Sequence, residues 1–81
     1  MARTHKLTPR EGFAQRLRLA RQQKYDHAYQ LAQVVGLEAE TYRRYERGET
    51  EPDIRALGKI ARALNVSLDY LVFGDLPALQ Q

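Results

Sequence analysis

The sequence offers little to a catalyst. It has no cysteine, and its two histidines, His5 and His27, are isolated, with no spacing that forms a metal-ligand set. No nucleophile–base pair appears, and no glycine-rich loop to cradle a phosphate. These residues predict a non-enzyme without cofactor or metal. What remains able to do chemistry is cationic. Residues 1–24 hold seven Lys/Arg and one acid, residues 25–48 hold three and four, and residues 49–81 hold three and five, for a net charge of +3. A basic segment of this kind is an electrostatic footprint for a polyanion, with a solvated helix face as the plainer alternative.

The elements that must position these cations are short. A chain of 81 residues forms one domain that buries only ~60–65% of its unfolded surface, which leaves room for a modest core and none for a deep cleft. Its 43% hydrophobic and 28% charged residues suit a folded soluble domain. No apolar run approaches the ~18 residues of a membrane span, and the start lacks the apolar core of a signal peptide. The expectation is a cytoplasmic, nucleoid-associated protein with no membrane partner.

Punctuation residues divide the chain into five helices, an all-α fold. Thr8 caps the first, Pro9 takes its first position, and Glu11 completes a capping box. Phe13, Leu17 and Ala20 are its inner stripe. The second helix begins at Asp26 or His27, turns Leu31, Ala32 and Val35 inward, and stops at Gly36. The third begins at Glu38 and ends at Gly48. After the polar loop Glu49-Thr50-Glu51-Pro52, Asp53 caps a fourth helix with the stripe Ile54, Leu57, Ile60, Ala61 and Leu64, and Asn65 stops it. Ser67 caps a fifth, ended by Gly74. The expected organisation is a basic arm over 1–7, a domain over 8–74 with a reading unit over 27–48, and a tail over 75–81.

Two short helices joined by a tight glycine turn carry a helix-turn-helix pattern. The residues around that turn are more specific: Leu31-Ala32 with Gly36, the run Tyr45-Glu46-Arg47-Gly48, and the ending from Asn65 to Gly74. From Phe13 to Gly74 the chain resembles the Cro/C1-type (Xre) phage-repressor family, which implies a compact five-helix lambda-repressor-like domain. The resemblance implies a sequence-specific regulator of transcription, a repressor acting as a dimer on double-stranded DNA, with the third helix (about 38–47) in the major groove.

Carried onto this sequence, the resemblance makes Ala39, Glu40, Arg43 and Arg44 the base-reading candidates. Arg3, Lys6, Arg21, His27, Ala28, Tyr29 and Arg47 become the phosphate candidates. Ala28 stands where relatives place a glutamine that fixes the DNA backbone. Arg21 and Glu46 match a structural ion pair between the first and third helices. Tyr42 and Tyr45 fall at core spacing, for packing rather than base stacking. Phe73, Leu76 and Leu79 are the candidates for a dimer patch.

The reading helix departs from the pattern by opening on acid. Glu38 favours the positive helix end and Glu40 pairs with Arg44, or Glu40 accepts from a cytosine amino group, or the face has turned from DNA to protein. The last possibility keeps a second function open: a helix-turn-helix adaptor, or an antitoxin that binds a protein partner.

Overall fold

Three of the five described helices open on a side-chain cap, and glycine or asparagine ends others. The structure, a computed structural model, describes residues 8–74. The arm (with Arg3, Lys6 and His5) and the tail (with Leu76 and Leu79) lie outside the described residues.

Helix α1 (Pro9–Gln22) opens on the Thr8 box: the Thr8 hydroxyl accepts from the Glu11 N–H at 3.1 Å and the Glu11 carboxylate from the Thr8 N–H at 2.9 Å. Helix α2 (Ala28–Val35) has His27 as its first flanking residue and ends at Gly36, whose φ of 76° an L side chain would resist. Helix α3 (Ala39–Glu46) follows after two residues, Leu37 and Glu38. Helix α4 (Ile54–Leu64) is capped by the Asp53 carboxylate and closed by Asn65 at φ 59°. Helix α5 (Leu68–Phe73) is capped by the Ser67 hydroxyl. No described residue lies in a strand, and no described helix is long and apolar enough to cross a membrane.

The core gathers residues from all five helices, with Leu17, Leu31, Tyr42, Ile60 and Leu71 completely shielded from solvent. Helix α1 packs on α5 and α3, α2 packs on α3 and α4, and α4 packs on α5. The stripe expected for α4 needs one correction. Ile54 is 88% exposed: it is the first residue of its helix, and at that turn the buried side chain is Ala56. Ala20 and Leu57 are only half-buried, packed against the edge of the core.

Helix α1 also binds the others through its cations. Arg16 donates to the Leu71 and Val72 carbonyls at 3.0 and 2.8 Å. Arg18 donates to the Glu46 carbonyl at 2.9 Å and Lys24, just past the helix end, to the Ala63 carbonyl at 3.0 Å. These acceptors lie in the last turns of α5, α3 and α4, where carbonyls lack helical partners and the helix dipole favours positive charge. The polyanion footprint expected of this helix is therefore largely an internal capping system.

Candidate nucleic-acid interface

The junction between α1 and α3 is ionic and buried. The Arg21 guanidinium meets the Glu46 carboxylate in a two-pronged pair, Nε to Oε2 at 2.9 Å and Nη2 to Oε1 at 2.8 Å. Its Nη1 donates to the Asp26 and Tyr25 carbonyls at 2.9 and 3.3 Å. The Tyr42 hydroxyl donates to the same carboxylate. Burial, then the Glu46 hydrogen bond, pushes the Tyr42 hydroxyl far above its ordinary range, so it stays a donor; Glu46 holds the Arg21 guanidinium charged. Arg21 is thus removed as a phosphate ligand, since it is 7% exposed and its donors face carboxylate and carbonyls.

This anchor fixes which way α3 faces. With Tyr42, Tyr45 and Glu46 buried, Glu40, Arg43, Arg44 and Arg47 project outward and Ala39 is half-buried at the first turn. Tyr42 and Tyr45 meet edge to face, with ring centroids 6.2 Å apart, inside the domain. On the outer face Glu40 is the hub of an ionic network, 2.8 Å from Arg47, 3.6 Å from Arg44 and 3.8 Å from Arg43. Arg47 also reaches Glu49 at 2.8 Å. The Arg47 hydrogen bonds hold both carboxyls below the usual carboxylate range.

Beside it, the start of α2 carries His27 and Tyr29 with their rings stacked, 5.5 Å apart and 9° from parallel, and Tyr29 is half exposed. Gln30 reaches back to accept from the His27 N–H at 2.8 Å. A contrast runs through the helix starts. Helices α1, α4 and α5 have a side chain accepting from a first-turn N–H, whereas α2 and α3 have none. The helices left uncapped are the two on either side of Gly36. Sequence reasoning did not anticipate this contrast; its signal was His27 and Glu38 at cap positions where Thr, Asp and Ser serve elsewhere.

A family model for helix-turn-helix proteins matches residues 17–71. The chain belongs to the Cro/C1-type helix-turn-helix family. Two relatives come from Bacillus subtilis (strain 168). One, the uncharacterized HTH-type transcriptional regulator YqaE, is 38% identical over 63 residues, which is 78% of this chain and 54% of that protein. The other, the SPbeta prophage-derived uncharacterized HTH-type transcriptional regulator YonR, is 36% identical over 62 residues, or 76% of this chain and 57% of that protein. The chain therefore spans about half the length of the curated relatives it matches. No solved structure matches it. In this helix-turn-helix protein the matched stretch includes both the Arg21–Glu46 anchor and the outward face of α3.

Proposed function

We propose that the protein is a sequence-specific DNA-binding regulator of transcription, acting as a repressor in dimeric form. The observation that carries this reading is the helix-turn-helix itself, with Gly36 as its turn and the Arg21–Glu46 pair holding α3 so that Arg43 and Arg44 face outward. A helix so held enters the major groove with its first turns against base edges, while the preceding helix crosses the backbone. The names of the two relatives, both transcriptional regulators, support the same reading.

The roles follow from chemistry. Arg43 and Arg44 are the guanine readers, since a guanidinium matches the two acceptors on that base edge. The uncapped N–H groups at the start of α2, framed by His27 and Tyr29, receive a phosphate in place of the glutamine that Ala28 lacks. Arg47 contacts phosphate once it leaves Glu40 and Glu49. Glu40 accepts from a cytosine amino group as its arginines turn to the duplex. Ala39 approaches a thymine methyl. Arg3 and Lys6 in the arm over 1–7 add phosphate contacts, the domain being 8–74 and the tail 75–81. Phe73, with Leu76 and Leu79, pairs two copies across half-sites ~34–36 Å apart.

Retention of random genomic fragments at low and moderate salt tests the reading. Selected fragments should share a sequence, their affinity should fall steeply with salt, and Arg43→Ala/Arg44→Ala should abolish selection in a folded protein. Full selection by that double variant, or no retention at low salt, rejects it. The ionic network on α3 favours one second reading: a reading face so neutralised serves a protein-binding adaptor or antitoxin, and that reading takes over if no fragment is retained.

A further inference from the structure

Of the eleven Lys and Arg among the described residues, eight hold a carboxylate or a carbonyl: Arg10, Arg16, Arg18, Arg21, Lys24, Arg43, Arg44 and Arg47. Arg55, Lys59 and Arg62 make no hydrogen bond or ion pair among the described residues. Their spacing puts all three on one side of α4, and all three line one shallow groove of about 650 Å³ between α2 and α4. No acidic residue lines it, and none of α3 does either.

The same groove carries apolar lining: Val34 and Ile54 are 57% and 88% exposed. Gly58 lines it too, a helix-interior glycine whose added Cβ would meet nothing within 4 Å. Neither backbone conformation nor packing within this domain requires a glycine there. It leaves bare helix backbone in the groove wall, where a second backbone can approach closely.

We propose that the α2–α4 groove docks an acidic amphipathic segment of a protein partner, laid as a helix along α4. Its carboxylates face Arg55, Lys59 and Arg62, and its apolar stripe covers Val34, Gly58 and Ile54. Charge complementarity selects an acidic occupant, and the exposed apolar pair selects a peptide over a phosphate backbone, which offers no apolar surface to bury. The surface is separate from the outward face of α3, so this inference does not rest on the DNA-binding reading.

Panning a random-peptide display library against the full chain tests the proposal. Enriched peptides should be acidic, with apolar residues at helical spacing. The best of them, synthesised with a fluorophore, should lose at least about tenfold in affinity when one docking charge pair is reversed, as in Lys59→Glu/Arg62→Glu. Gly58→Phe, which fills the trough without touching charge, should weaken it likewise, and both variants should keep the native circular-dichroism spectrum. Enrichment of neutral or basic peptides, or binding that survives both variants, overturns the proposal. So does a short duplex that displaces the peptide and itself binds less to Lys59→Glu/Arg62→Glu, since the groove is then a phosphate surface. Failure of genomic-fragment retention with the peptide results intact would reject the DNA reading alone.

Discussion

Two donors, the Arg21 guanidinium and the Tyr42 hydroxyl, meet at the buried Glu46 carboxylate. A buried ion pair is no gain over apolar packing, but removing one partner strands the other charge at a cost of about 3–5 kcal/mol. Glu46→Ala leaves both Arg21 and the Tyr42 hydroxyl without their acceptor. The loss is comparable to the whole stability of so small a domain, about 4–12 kcal/mol. Urea denaturation should show that loss, and Arg21→Met/Tyr42→Phe/Glu46→Leu should recover most of it; an unchanged midpoint for Glu46→Ala would refute the account. On the exposed face the effects are smaller and depend on pH. Arg47 holds the Glu40 and Glu49 carboxyls below their ordinary value of 4.5. Because the folded values are depressed, the contribution is present above the ordinary value and disappears as pH falls through the folded ones. Carboxyl carbon shifts followed by NMR should titrate below 4.5 for both groups and return toward it in Arg47→Ala. Titration of Glu40 at its ordinary value in the parent protein would show that the network does not persist in solution.

Among the elements, α4 carries an avoidable cost. Gly58 sits in its interior with open space where a Cβ would stand. Gly58→Ala should therefore stabilise the domain by about 0.5–1 kcal/mol, read as a rise in thermal midpoint; a fall would mean that the helix backbone there is not as described. Element boundaries were largely legible in the sequence because caps act within four residues: Thr8 with Glu11, Gly36, Asp53, Asn65 and Ser67 each stand where the sequence alone puts them. The duties of the α1 cations were not legible. Arg16, Arg18 and Lys24 reach carbonyls 55, 28 and 39 residues away, and a charge pattern carries no direction. Ile54 misled for a related reason, since periodicity names a face without saying where its cover ends. Arg21 read as both pair and phosphate ligand because burial, which separates the two roles, belongs to the tertiary fold.

For the molecule as a whole, exposed apolar surface occurs both beside the free cations of the α2–α4 groove and at the α5 end. Among the described residues Arg16, Arg18 and Lys24 hold carbonyls of later helices, Glu40 and Glu49 pair with arginines of the reading face, and free positive charge remains on α4. On α5 Phe73 is 73% exposed, and Val72 and Leu68 are exposed on the same helix. If this end pairs two copies, Phe73→Lys should shift sedimentation toward the monomer and weaken two-half-site binding more than half-site binding. A monomer at every concentration in the parent protein would remove the dimer from the reading.

The polar bonds of α1 have a bearing on synthesis. Helix α1 is made before α3, α4 and α5, in whose last turns it finds acceptors, so as the ribosome delivers the chain, Arg18, Lys24 and Arg16 wait in that order. The last clasp closes only when Leu71 and Val72 have emerged. Until then the nascent chain holds Leu17 without its cover from α5, which leaves a window open to proteases and chaperones. The set of α1 contacts is therefore complete only once α5 has been made.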